Sequence, residues 1–576
     1  MSYLDWIVLS LTLIFVVSYG MYRSREKQTM NSFLLAGQSL PWYHVTLSLM
    51  ATQASAITFL SAPGQAYTDG MRFVQFYFGL PLAMVVLCIT FVPKFHKLKI
   101  FTAYEFLEGR FDLKTRALTS FLFLLQRGLS TGLSIYAPSL ILSAILGWDI
   151  TWTNIISGSI VMIYTITGGS RAVSHTHMQQ MAIITIGMVV AGIMVVKFLP
   201  ENISFTDALQ VAGKMGKTNV IDFTFNLNNR YNVWSGLIGG FFLQLSYFGT
   251  DQSQVGRFLT GSSEGQSKLG LAMNGLLKIP MQFLILLVGV LVFAFYQFTT
   301  PPLFFNQTAV DKIKKTEYAT QYQQLENKHK IIQAGKRQHV MDLSEAVKKD
   351  DQTGIEKSRL VLGNIETEVK EVRKEAETLL SKANGEDTND VNYIFLRFVT
   401  DYLPVGMVGL LIAVILLASM GSVASAYNSL ASCSVVDIYK RIYRKDGDTE
   451  NYVTASRWAT FFWGIFCIAV AQYASRLGSM IEAVNILGSL FYGVILGIFL
   501  VAFYFKNIGG RAVFWGSIIG EIFVIICYVI DLTAFLWLNL IGCVLVISFA
   551  WLLEKIWPEA PKKAMVADIS TDLPVT

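Results

Sequence analysis

The residues with the chemistry of a cation site lie between Ser48 and Gly70, in the stretch SLMATQASAITFLSAPGQAYTDG. Small and polar residues interrupt a segment of membrane-spanning length, and Pro63-Gly64 stands near its far end. Inside hydrocarbon an unwound backbone must be satisfied within the protein or line a wet cavity. A gap in a spanning helix therefore turns free carbonyl oxygens toward a cation and side-chain dipoles toward a solute. Gln53, Ser55 and Thr58 supply such side-chain oxygens here. For one segment alone, a Pro/Gly-kinked helix packed through small residues is the alternative. Two further segments, Gly239 to Leu259 and Leu416 to Tyr439, tilt the balance toward a gap. Lys278 adds a cation in the middle of the apolar run GLLKIPMQF. Inserting such a lysine costs about 2.5–3.5 kcal/mol, so it faces a cavity or a partner. Substrate contact and structural pairing both meet that requirement.

The elements that hold these residues are membrane spans. The chain has 576 residues, 53% hydrophobic and 15% charged, with a mean hydropathy of +0.48. Soluble domains carry roughly 25% charged residues, so the composition is that of an all-α integral membrane protein. Apolar runs place spans near 5–22, 45–68, 73–93, 117–146, 152–167, 179–199, 233–252, 271–298, 397–434, 457–474, 481–505, 511–530 and 534–556. The first run lacks a preceding basic region and a following A-x-A-like site, and is read as a retained span. Lys and Arg cluster in alternate loops: Arg23 to Lys27, Lys94 to Lys99, Arg110 to Arg116, Arg257 with Lys268, Lys440 to Lys445, and Lys506 with Arg511. By the positive-inside rule those loops are cytoplasmic, with the N-terminus outside and the C-terminus inside a plasma membrane. The five cysteines fall inside spans without metal-site spacing, and no Walker, dinucleotide or H-E-x-x-H pattern occurs. Nothing in the sequence points to an enzyme, to ATP-driven work or to nucleic acid.

One segment departs from the membrane pattern. Residues 304–392 are highly charged and lie outside by the same loop count. Ile365, Val369, Val372, Ala376 and Leu379 step by four and three, an apolar stripe of coiled-coil type. An antiparallel helical hairpin leaving near Asn384-Gly385 is expected, either a solvated insertion or a docking arm for a protein partner. The chain then divides into a membrane domain over 1–303, the hairpin over 304–392, a membrane domain over 393–557 and a tail over 558–576.

Several motifs recur in a fixed order: FLLAGQS (Phe33 to Ser39), TAYEFLEGRF (Thr102 to Phe111), YAPSL (Tyr136 to Leu140), TGGSRAV (Thr167 to Val173), GTDQSQVGRFL (Gly249 to Leu259) and the segment Ser419 to Lys440 ending VVDIYK. As a set they resemble the sodium:solute symporter family, nearest its iodide, vitamin and monocarboxylate branch. The resemblance implies a LeuT-like core of two inverted five-helix repeats, spans two to six and seven to eleven. It also implies sodium-driven import of a small polar or anionic organic solute by alternating access. Carried over by motif, the sodium ligands are the carbonyls of Ala51, Ala54 and Ala418 and the hydroxyl of Ser422. Gly421 stands where the family usually has another hydroxyl, while Ser419 and Ser425 are within helical reach. The resemblance also implies a solute pocket from Gln53, Thr58, Tyr77, Gln244, Tyr247, Lys278 and Asn485, with Phe76 and Tyr247 as gates and Glu482 beside them. Asp251 and Arg257 are expected to anchor the cytoplasmic mouth.

Members that use a second sodium carry an aspartate in a GG-x-x-AV-x-x-TD-x-x-Q pattern. Here that aspartate is His177, and imidazole supplies neither its oxygens nor its charge. One sodium per solute is the expectation. Proton coupling through His175 and His177 is the rival within transport, interface bonding by these histidines is the plainer role, and a non-transporting sensor is the rival outside transport.

Overall fold

A computed structural model of the chain describes residues 1–23, 35–98, 100–384, 389–443, 449–474 and 479–559. Arg25, Lys27, Phe33, Lys99, Gly385, Arg444, Lys445 and the tail from 560 lie outside the described residues, as do the side chains of 167–172 and His175. Helices α1 (Tyr3–Arg23), α2 (Trp42–Gln53) and α3 (Ala56–Asp69) lead through the tight segment Gly70–Tyr77 into α4 (Leu80–Val86). A π-helical turn over Leu87–Phe91 joins α4 to α5 (Val92–Leu98). Next come α6 (Glu105–Arg110), α7 (Leu113–Leu146), α8 (Ile150–Lys197) and α9 (Phe205–Lys214). The second half holds α10 (Gly240–Thr250), α11 (Gln252–Phe258) and α12 (Glu264–Phe298) before the insertion.

Local chemistry sets these boundaries. Asp112 and Asp149 cap α7 and α8 by accepting from the amides of Thr115 and Thr151. Gly147, at φ +68, ends α7 in the left-handed conformation that glycine adopts without penalty. Ser204 and Asp207 form a capping box on α9.

Among the described residues, ten helical segments are long and apolar enough to cross a membrane, with Ile150–Ile166 as a shorter apolar helix. The thirteen expected spans differ from these mainly in continuity. Two of them merge into Ala56–Leu98, and the run at 233–252 is divided between a π-helical turn and α10. The expected span at 397–434 is two helices, α16 (Ile394–Tyr402) and α17 (Met407–Cys433), because Pro404 and a positive-φ Gly406 interrupt the backbone between them. In contrast, α8 runs unbroken where a loop was expected between two spans. Its Gly168-Gly169 pair costs about 1 kcal/mol per glycine in a helix but, unlike proline, does not block it.

The insertion contains α13 (Gln307–Ile313), α14 (Ala319–Lys348) and α15 (Gln352–Asn384), with α14 and α15 packed against each other. Val369, Val372 and Ala376 are buried as the stripe predicts, but Leu380 is more deeply buried than Leu379. Stepping by four from Val372 through Ala376 carries the seam to Leu380. The helical turn Val391–Tyr393, where the chain returns to the membrane domain, rests on α3: Ser61 Oγ donates to Asn392 Oδ1 at 2.8 Å. A Cβ on Gly64 would stand 2.1 Å from the Val391 carbonyl oxygen, so only glycine allows this approach. After α17 come a π-helical segment (Ser434–Tyr443), α18 (Thr449–Ala471), α19 (Met480–Tyr504), α20 (Gly510–Val529) and α21 (Phe535–Ile556).

The TAYEFLEGRF and VVDIYK motifs meet in a charge cluster. Arg116 bridges Asp437 at 2.5 Å and Glu108 at 2.7 Å, and Arg441 also holds Glu108. Burial opposes ionisation of Glu108, yet hydrogen bonds from Arg441 and Arg116 keep its carboxyl below the usual range.

Candidate cation and solute site

The break between α2 and α3 is two residues long, Ala54 (φ −84, ψ 78) and Ser55 (φ −78, ψ 174). In an unbroken helix the Ser55 amide would serve the Ala51 carbonyl and the Thr58 amide the Ala54 carbonyl. Here Ser55 donates to Gln53 O at 3.1 Å and Thr58 to Ser55 O at 2.9 Å. The carbonyls of Ala51 and Ala54 thus lose those amides, and they are the two oxygens the motif assigns to sodium. Pro63-Gly64 is no part of the gap, since α3 runs through it. These residues instead permit close packing, with Gly289 of α12 seated on the Pro63 backbone.

α17 packs beside the break. Ser422 Oγ donates to Ala418 O at 3.1 Å and to Ser419 O at 3.2 Å, which leaves its oxygen lone pairs for a cation. Ser419 Oγ donates to Ser134 O on α7, and Ser425 Oγ meets Thr52 Oγ1 at 3.1 Å. His177 bridges three helices, with Nδ1 2.9 Å from Ser48 Oγ and Nε2 3.3 Å from Gly421 O. A Cβ on Gly421 would sit 2.5 Å from Gln180 Oε1 and 3.2 Å from the His177 ring. A side chain there would therefore project onto α8.

Gln53, Thr58, Phe76, Tyr77, Gln244, Tyr247 and Asn485 line one cavity of about 100 Å³. Gln126, Arg127, Ser130 and Tyr492 add polar groups to the wall that the motifs do not mark. Arg127 carried a visible signal, an arginine inside the apolar run FLFLLQRGLS, by the same rule that singled out Lys278. Arg127 lies 3.6 Å from Asp251, whose carboxylate also accepts from the Tyr492 hydroxyl at 2.7 Å and the Ser253 amide at 2.7 Å. Asp251 thus pairs with Arg127 on α7, while Arg257 donates to Ser174 Oγ at 3.1 Å. The Nε of Arg127, both amide atoms of Gln244, and the amide oxygens of Gln53 and Gln126 are buried without a hydrogen-bond partner among the described residues. The pocket therefore offers a cationic N–H and uncommitted amides to a solute.

Lys278 is placed elsewhere. It does not belong to the cavity wall, and its Nζ lies 5.9 Å from the ring centroid of Tyr77. Glu482 also turns away, accepting from Arg230 at 2.7 Å and the Tyr231 hydroxyl at 3.2 Å. Phe76 is stacked on Phe73 at 5.5 Å, and Tyr247 accepts from Gln254 at 2.6 Å beside the Tyr492 ring. A larger groove of about 960 Å³ runs between α2, α8 and α12. Its walls are almost wholly apolar, so it has little with which to orient a polar solute.

Two interrupted helices meeting at a buried polar pocket within a multi-span bundle define a secondary transporter. Over residues 33–323 and 373–520 the chain matches the family model described as the sodium:solute symporter family, and it belongs to that family. It is 26% identical over 517 residues to the sodium-dependent multivitamin transporter of Oryctolagus cuniculus, covering 88% of this chain and 67% of that protein. It is 26% identical to the sodium-coupled monocarboxylate transporter 1 of Homo sapiens, covering 86% and 68%. Its fold superposes with a TM-score of 0.75, at 21% identity, on a Na+-coupled sialic acid symporter in a substrate-bound outward-open state, covering 98% of this chain and all of the other. The protein is thus a multi-pass, sodium-coupled solute symporter of LeuT-like fold. The match to the family model omits 324–372, most of the α14–α15 pair.

Proposed function

We propose that this symporter imports a small organic carboxylate together with one sodium ion, through the cavity between the two broken helices. The observation that carries this reading is Arg127, a cation in the pocket wall with an uncommitted N–H and amide side chains around it. A guanidinium suits a carboxylate in geometry as well as charge. The printed names of the multivitamin and monocarboxylate relatives point the same way.

Sodium is cargo here. The carbonyls of Ala51, Ala54 and Ala418 and the Ser422 hydroxyl would replace part of its water shell with neutral dipoles. Binding would tie the broken helix to α17 and fix Gln53 and Thr58 at the pocket wall. Phe76 and Tyr247 are the aromatic closures, and Asn485 completes the polar wall. Support for a single sodium comes from His177, whose two nitrogens reach Ser48 and Gly421 where the family motif has a carboxylate. With both nitrogens so placed, His177 fits an interface role better than a proton-carrying one.

One sodium with one monovalent carboxylate carries no net charge, so transport would not respond to membrane potential. Two sodium ions would add about 2.3 kcal/mol of drive per 100 mV. Placement of Lys and Arg supports an outside N-terminus and a cytoplasmic C-terminus. The same orientation puts the hairpin outside the membrane, where α14 and α15 share a hydrophobic core with α9 and Lys348 pairs with Asp207 at 3.1 Å.

The test is uptake in proteoliposomes of monocarboxylates, carboxylate vitamins, sialic acid and neutral sugars, with sodium scanned at fixed potential. We expect sodium-dependent accumulation of carboxylates alone, a Hill coefficient of one and no current. Uptake of neutral sugars only, or a two-to-one sodium flux, would overturn the reading.

A further inference from the structure

Lys278 stands behind the pocket in unusual company. Asn274, Lys278 and Gln282 are all fully buried. They follow one another at four-residue steps on α12, which sets them along one helix face with neighbouring Cβ atoms about 5–6 Å apart. The Lys278 Nζ, both amide atoms of Asn274 and both amide atoms of Gln282 lack hydrogen-bond partners among the described residues. Tyr77, the ring near Lys278 Nζ, belongs to the Gly70–Tyr77 segment on which α12 packs.

Helix packing does not explain such a face, because apolar side chains would fill the same space without desolvation cost. Each unsatisfied buried dipole is costly, and a lone buried charge costs more. Water would satisfy the two amides but would leave the ammonium uncompensated. The three side chains offer up to seven N–H donors and carry one positive charge. That inventory fits one small negative ion seated at the ammonium, with an amide reaching it from each side.

We infer that the Asn274–Lys278–Gln282 face of α12 binds one small monovalent anion, at a site separated from the solute pocket by Tyr77. Chloride and the carboxylate end of a solute share the required chemistry. The bound ion neutralises Lys278 and fastens α12 to the segment that carries Phe76 and Tyr77. Occupancy therefore bears on how that pocket wall moves, whatever solute the pocket takes.

The test uses full-length protein in detergent at fixed sodium and ionic strength; because acetate and gluconate are themselves carboxylates that the solute pocket could take, only the part of a rise that Lys278→Met removes is assigned to this face. Its melting midpoint is compared in sodium chloride, sodium acetate and sodium gluconate. Chloride or acetate should raise the midpoint above that in gluconate, saturably with concentration, and Lys278→Met should abolish the rise. A rise with chloride assigns a free halide to the site; a rise with acetate alone assigns a carboxylate. Equal midpoints in the three salts, or an undiminished response in Lys278→Met, would overturn the inference. If that variant does not fold, bromide in crystals of the unaltered protein decides the matter. An anomalous peak beside Lys278 Nζ supports the site; absence of that peak at saturating bromide, together with no acetate density there in crystals grown with acetate, removes it. None of these readouts uses transport, so a failed carboxylate panel leaves them intact.

Discussion

At the first helix break, between α2 and α3, Ala54 and Ser55 leave the carbonyls of Ala51 and Ala54 without their helical amides, and among the described residues no charged side chain bonds to them. At the second, between α10 and α11, Asp251 fills the interruption with a carboxylate. It caps α11 through the Ser253 amide, accepts from Tyr492 and faces Arg127. Both breaks sit beside the same cavity, yet one presents neutral dipoles and the other a fixed ion pair. The difference fits a division of labour. A site that must bind and release a cation in every cycle needs attraction weak enough to let it leave. A permanent carboxylate at the first break would attract the cation more strongly than neutral dipoles do. At the second break, its bonds to α7, α11 and α19 keep the pocket floor in shape while the first break changes occupancy.

The largest effect should come from breaking the charged side of this contrast. Asp251→Ala strands the buried Arg127 guanidinium, a loss of about 3–5 kcal/mol for a buried pair. We expect a sharply lower melting midpoint and no uptake; a wild-type midpoint would show that the second break is not held by charge. The neutral side is probed by Ser422→Ala. Removing one dipole worth about 0.5–1.5 kcal/mol should raise the sodium concentration for half-maximal uptake by up to about tenfold, with folding preserved. A change under twofold would move the cation elsewhere.

A third variant makes the first break resemble the second. His177→Asp sets a carboxylate near Ser48 and Gly421, and the Hill coefficient for sodium should rise above one. A coefficient still at one would mean that charge alone does not build a second site. The smallest effect is expected from Gly421→Ser. A Cβ there meets Gln180 and His177 on α8, so sodium affinity should change less than twofold, with a stability loss of about 1 kcal/mol from local crowding. A clear gain in affinity would place that hydroxyl in the cation site after all.

Much of this transporter was legible without coordinates. Apolar run length fixes membrane spans because a bilayer of set thickness needs about 20 residues per crossing. The order of motifs identifies the family, and the small-polar stretch at Gln53 to Thr58 marks the first break, since such residues in hydrocarbon need a reason to be there. Six of the seven residues expected around the solute line one cavity. What the sequence left open depends on how helices are rotated and on which distant residues meet. Pro63-Gly64 reads as a helix breaker, yet α3 continues through it and uses the pair for close approach to Gly289 and Val391. Lys278 and Arg127 are both lone cations in apolar runs. Only the tertiary structure sets Arg127 against Asp251 in the pocket wall and turns Lys278 behind Tyr77. A helix of given sequence buries the same polar groups in any rotation, but packing against its neighbours alone decides which cavity each of them reaches.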